Sequence, residues 1–290
     1  MDVALQMMAA GRQRHRNLGM RIVNIRPQRG IRVLAGAIPI AIALIAYAVV
    51  SAARAEANPH DKVLPTFVAM AEAAWRLFTQ VDPRTGDVTA YADTVASLWR
   101  LGVGVAIATV STLLLGLALG AVPLFRSTLG PFITILAVIP PIAVLPILFI
   151  ALGLGEASKI ALIAVGIAPF MIRDLIGYVA GLPVEQAIKA QTLGASSWQL
   201  VLRVYLPQAL PRLIESLRLS MGPAWAFLIS AEAIASDVGL GYRIFLVRRY
   251  LAMDMILPYV AWISLLAILT DLALQWVSRK AFPWAHGEAK

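Results

Sequence analysis

The sequence predicts an all-α protein, a polytopic bundle of about six transmembrane helices, on three observations. Hydrophobic residues make up 60% of the 290-residue chain, only 14% are charged, and the apolar residues fall in long charge-free blocks. Soluble domains keep about a quarter of their residues charged, so this chain cannot cover a water-facing surface. A helix needs about 20 consecutive apolar residues to cross a bilayer, and blocks of that length recur here. The mean hydropathy of +0.78 agrees with that class.

Residues 1–32 carry Arg12, Arg14, Arg16, Arg21, Arg26, Arg29 and Arg32 and read as a basic cytoplasmic arm. Val33 to Ala53 is charge-free and forms the first span. A signal peptide cleaved near Ala53-Arg54-Ala55 is the competing reading. The apolar run, however, exceeds the roughly 7–15 residues of a signal core. Residues 54–93 form a polar outer loop with turn residues at Pro59, Pro65, Asp82-Pro83 and Gly86. Within it a short helix beginning near Pro65 gathers Phe67, Met70, Ala71, Ala74, Trp75 and Phe78 on one face, suited to the membrane interface.

The core of the bundle is expected over residues 94–280, followed by a short tail, 281–290. Its spans are Leu101–Phe125, Ser127–Gly155, Ile160 to about Leu182, Leu213–Ile234 and Met255–Val277. Gly116 and Gly120 in the first of these permit close helix contact. The second is broken by Pro131, Pro140, Pro141 and Pro146. With the amino terminus inside, 16 of the 25 lysines and arginines fall on the inner side and 9 on the outer, which sets the orientation. Arg243, Arg248 and Arg249 run against that rule.

Several chemistries are excluded. The chain has no cysteine, and His15, His60 and His286 lie far apart, so no metal site or thiol chemistry is expected. The net charge of +9 reads as topology rather than as nucleic-acid binding, because the arginines crowd beside the first span.

The most informative stretch is the polar segment 182–207. Pro183 suits a first helical turn, Glu185 sits where the helix dipole favours a carboxylate, and Gly194 supplies a stop. Ser196 with Gln199 is a capping box that restarts a helix, and Pro207 should hinder its continuation. Leu200, Val201, Val204 and Tyr205 give this second helix an apolar stripe.

This segment resembles the coupling loop of ABC importer permeases, named for its Glu-Ala-Ala stretch. Ala190, Gly194, Leu206 and Pro207 match, while Ile188 and Lys189 stand where the family has Glu and Ala. Glu185, one turn upstream, is the candidate substitute acid. Other stretches are similar to the nitrate/sulfonate/taurine branch: Thr94–Arg100, Ile139–Pro146, Gly153–Lys159, and Ala231-Glu232 with Gly239–Tyr242. The resemblance covers about residues 63–285.

It implies the transmembrane domain of a type I ABC importer in a bacterial inner membrane. Such a subunit pairs with a second copy of itself, binds ATPase subunits inside and receives a small solute from a binding protein outside. It also implies that Glu185, Ala190, Gly194, Ala195, Ser196, Trp198, Leu206 and Pro207 belong to the ATPase-coupling surface. No Gly-x-x-x-x-Gly-Lys-Ser/Thr loop is present, so no catalytic residue or cofactor is expected here, ATP being bound by the partner. A secondary transporter or channel working without an ATPase is the alternative, but candidates for an ion or proton relay are few.

Ionisable residues inside spans are costly and ordinarily paired or facing a cavity. Glu232 and Arg100 are placed at similar depth and expected to pair, with contact to solute as the alternative for Glu232. Asp271 is expected to pair with Arg212 or Arg218. The translocation path is expected to run past Ile139, Pro140, Pro141, Trp225 and Glu232, at a dimer interface that uses the small residues Gly222 and Ala224.

Overall fold

The computed structural model describes residues 29–58, 62–81, 86 and 88–286. The basic arm up to Gln28 therefore lies outside the described residues. The chain divides into two compact units, Met1–His60 and Asp61–Lys290. In the first, α1 (Arg29–Ala57) is apolar on every side, as a lipid-solvated helix must be. Its 29 residues reach about 44 Å, ample for a hydrocarbon core of about 30 Å.

The second unit is built of helices, with an isolated antiparallel bridge between Val81 and Val88. It opens with α2 (Phe67–Thr79), whose first turn is capped by Thr66 Oγ1 accepting from the Ala69 amide at 3.3 Å. Ala73 and Leu77 are the buried residues of α2, Phe78 packs edge-on against Trp262 at 5.0 Å, and Phe67 and Trp75 are exposed, as a face suited to the membrane interface would be.

The centre of the unit is a parallel pair, α3 (Thr89–Ala121) and α6 (Glu156–Ala180). A Cβ built on Gly104 would lie 2.8 Å from Ile163 Cβ. Equivalent atoms on Gly116 and Gly120 would lie 2.9 Å from Leu175 Cδ2 and 2.7 Å from Val179 Cβ. The contact advances equally along both helices, so they run in the same direction, and the absent side chains are what let the axes come so close.

A parallel pair requires the intervening chain to recross the bundle. The crossing is made by α4 (Pro123–Val138) and α5 (Pro141–Leu152), bent by 98°. The single third span expected from sequence is thus two helices. Each proline drives the residue before it out of the helical region, and both Ile139 (ψ 125°) and Pro140 (ψ 116°) are extended.

Beyond α6 come α7 (Val184–Thr192), α8 (Ser197–Leu200), a π-helical turn (Val201–Tyr205) and the long α9 (Leu206–Ile234). Pro207 does not stop the chain. The Leu206 amide reaches back five residues to the Val201 carbonyl, and this wider turn carries α8 into α9 past a residue that has no N–H to donate. The unit closes with α10 (Leu240–Arg248), α11 (Met253–Ala281) and a short 3₁₀ turn, Pro283–His286.

Among the described residues, four helices (α1, α3, α6 and α11) are each long and apolar enough to cross a membrane, and the bent pair makes a possible fifth. The remaining expected span, Leu213–Ile234, falls within α9. That helix is 29 residues long, but Arg212, Glu215, Arg218 and Glu232 take it out of the apolar class.

Candidate functional site

The two ends of the second unit carry different chemistry. At one end lie the amino termini of α3 and α6 and the carboxy terminus of α9. The start of α9 and the segment 182–205 lie at the other, about 43 Å away along α9.

The first end holds a buried network of charge. Asp93, Ser97 and Arg100 occupy one face of α3 at helical spacing, and all three are buried. Arg100 donates from Nη1 to Glu232 Oε1 at 2.7 Å and to the Val238 carbonyl at 2.8 Å. Its Nε and Nη2 donate to both oxygens of Glu156, at 2.5 and 2.8 Å. Lys159, one turn along α6, reaches Glu156 at 3.0 Å and Ser236 at 3.3 Å. Asp93, fully buried, accepts from Arg243 Nε at 2.8 Å and from the Tyr259 hydroxyl at 3.0 Å.

Glu232 is also fully buried. Besides Arg100 it accepts from the Ser97 hydroxyl at 2.7 Å and from the Gly241 amide at 2.8 Å. The segment 239–241 is threaded around it. Gly239 sits at φ +136°, and any Cβ there would fall 2.6 Å from the Glu232 carboxyl carbon. Three successive amides opening α10 are satisfied by this cluster: Gly239 by Asp93 at 2.9 Å, Leu240 by Ser97 at 2.9 Å and Gly241 by Glu232. These are the amides a helix leaves without internal partners, and carboxylates suit its dipole there.

The cluster balances three acids (Asp93, Glu156, Glu232) against three bases (Arg100, Lys159, Arg243). Arg100 and Glu232 are therefore together, in company that the sequence reading missed. Asp93, Ser97 and Glu156 were legible only as the one-face spacing 93, 97, 100 and the i, i+3 pair Glu156/Lys159. Arg243, which violated the charge rule for loops, is accounted for by Asp93. Glu232 and Trp225, expected along the path, are 0% and 4% exposed. Ile139 and Pro140 are exposed and Pro141 is half-buried.

At the opposite end, α7 buries no residue at all. Gly194 adopts φ +82° and its amide closes the helix end on the Gln191 carbonyl at 2.9 Å. Ser196 and Gln199 form both halves of the capping box. Glu185, Gly194, Ser196 and Trp198 are exposed, Ala190 and Ala195 are half-buried, and Leu193 stands 88% exposed between the helices. Leu206 and Pro207 are half-buried where the segment joins α9. Arg212 pairs with Asp174 (2.5 and 3.0 Å), and Arg218 rather than Arg212 pairs with Asp271 (2.8 and 2.9 Å). Ala224 is fully buried, whereas Gly222, Pro223 and Ala226 are exposed on α9. Among the described residues no group of three His, Cys, Asp or Glu side chains is placed to hold a metal ion.

The second unit is thus a helical membrane bundle with a parallel core pair, a proline-broken crossing and a protruding two-helix segment continuous with a long helix. Residues 108–283 match the family described as binding-protein-dependent transport system inner membrane component. The taurine transport system permease of Escherichia coli K12 is 37% identical over 205 residues, 70% of this chain and 74% of that one. A putative aliphatic sulfonates transport permease from Bacillus subtilis 168 is 30% identical over 191 residues, 66% of this chain and 69% of that one. A subunit of the MetNI methionine ABC transporter, in inward-facing form, superposes with a TM-score of 0.58 at 22% identity, covering 66% of this chain and 95% of that one, and shares the fold. The chain belongs to the binding-protein-dependent transport system inner membrane component family, the permease subunits of ABC importers.

Proposed function

We propose that this permease docks its ATPase through residues 184–206 on the cytoplasmic side, works as a homodimer and conducts a small sulfonate-like or nitrate-like solute delivered by an external binding protein. The observation that carries the docking assignment is the protrusion itself: two short helices locked by Gly194 and a capping box, with Trp198 and Leu193 exposed. Its second helix passes through the π turn into α9 without a break, so a push on Trp198 is a push on α9. α9 carries Glu232 at its far end, held by Ser97, Arg100 and Gly241, so displacement can travel to the outer network along one rigid element. Exposed Gly222, Pro223 and Ala226 supply a close-packing face for the second copy. The relatives named for taurine and sulfonates support the solute class. The excess of lysine and arginine on one set of loops supports a cytoplasmic amino terminus.

The test is Gly194→Val. A β-branched residue resists the left-handed conformation at this position. Membrane insertion should survive while solute-stimulated ATP hydrolysis by the assembled complex falls. Normal stimulation in the Gly194→Val complex would refute the docking assignment.

A further inference from the structure

We propose that an open cavity of about 530 Å³, lined by Phe170, Arg173, Asp174, Gly177, Tyr178 and Arg212, is a binding site for a small oxyanion, held by Arg173. The site deepens the importer reading above and rests on it for its occupant.

The charge balance of the lining is uneven. Arg212 is neutralised by the two-pronged contact to Asp174, lies 5.9 Å over the Tyr178 ring and reaches Glu215 at 3.5 Å. Asp174 is thereby used. Arg173 is exposed and has no hydrogen-bond or ion-pair partner among the described residues. It lies on α6 about 10 Å before the helix end at Ala180, inside an apolar spanning segment. An unpaired guanidinium at that depth is unfavourable unless it meets an anion or a water-filled cavity. Its planar fork of donors fits two oxygens of a sulfonate, carboxylate or nitrate.

The cavity lies on one face of α6. Gly166, Phe170, Arg173 and Gly177 follow one another at helical spacing on a single face of α6. A Cβ on Gly166 would lie 3.3 Å from Pro141 and 2.5 Å from the Phe227 ring, so this face starts directly beneath the break between α4 and α5. Gly177, one turn beyond Arg173, has open space where a side chain would stand. Below the close packing of Gly166 on Phe227 and Pro141, Arg173 is the first uncompensated charge on that face.

The chain has no cysteine of its own, so Gly177→Cys makes a single reporter in the full-length protein. Labelling by a neutral maleimide is followed in nanodiscs of phosphatidylcholine alone or with phosphatidylglycerol. Ethanesulfonate should slow labelling about threefold at roughly twice its Kd, and choline should not. Adding Arg173→Gln should abolish that protection, and Arg173→Lys should retain part of it, which separates loss of the site from loss of fold. Protection by phosphatidylglycerol without any effect of ethanesulfonate would assign Arg173 to a lipid phosphate and overturn the proposal. So would protection that survives Arg173→Gln, or none in either lipid. Co-purification of an ATPase reads the importer assignment separately: a complex that keeps its ATPase but shows no anion protection loses this site alone.

Discussion

Arg100 is shared between two acids, and that sharing makes the network respond unequally to the removal of its members. Consider Arg100→Gln and Glu232→Gln, singly and together. Removing Arg100 leaves the fully buried Glu232 carboxylate with Ser97 and the Gly241 amide but no cation. Stripping one partner from a buried pair costs about 3–5 kcal/mol. Removing the Glu232 charge is different, because Arg100 keeps both oxygens of Glu156 and the Val238 carbonyl. The loss is then that of an amide facing donors from Ser97, Arg100 and Gly241, about 1–3 kcal/mol. A shift of about 2–4 °C per kcal/mol for a unit of this size puts Arg100→Gln at about 6–20 °C below wild type and Glu232→Gln at about 2–12 °C below it, the smaller loss of the two. Groups in one network also couple, so the double variant should fall short of the sum by about 1–3 kcal/mol. Thermal unfolding of the detergent-solubilised protein reads all four corners of this cycle. Equal losses from the two single changes would refute the shared-arginine account. Strictly additive losses would mean that the two side chains do not act on each other.

Two further outcomes are expected. Gly120→Ala forces a Cβ to within 2.7 Å of Val179 and should destabilise the detergent-solubilised protein by about 1–3 kcal/mol, whereas Gly177→Ala meets open space and should be neutral or mildly stabilising; equal effects would rule out close packing of α3 on α6. Cysteines placed singly at Ile139 and Ile142, both exposed at the helix break, should react with a water-soluble thiol reagent at a rate that changes with nucleotide state in the assembled complex, and uniform protection in every state would remove that break from the path.

Composition alone settled that this is a helical membrane chain, because apolar blocks of spanning length have no other stable solvent. The protruding segment was equally legible. Gly194 and the Ser196/Gln199 box act on backbone groups within a few residues of themselves, so no distant element has to be known to read them. Charges inside spans announced that Arg100, Glu232 and Asp271 needed partners.

Matched depth along two spans was enough to pair Arg100 with Glu232 across 132 positions, but the rest of the network was a tertiary decision. Asp93 meets Arg243 across 150 positions and Arg100 also takes Glu156, contacts that no local pattern specifies. The number and shape of the crossings were decided in the same way. The prolines at 140 and 141 showed that a helix must break, but the 98° bend and the return crossing follow from α3 and α6 lying parallel. α9, read as a span despite Glu215, Arg218 and Glu232, carries those charges because Asp174, Asp271 and Arg100 each stand beside one of the charged residues of the helix. Side chains brought together by packing can neutralise one another, and hydropathy summed along one segment does not register that compensation.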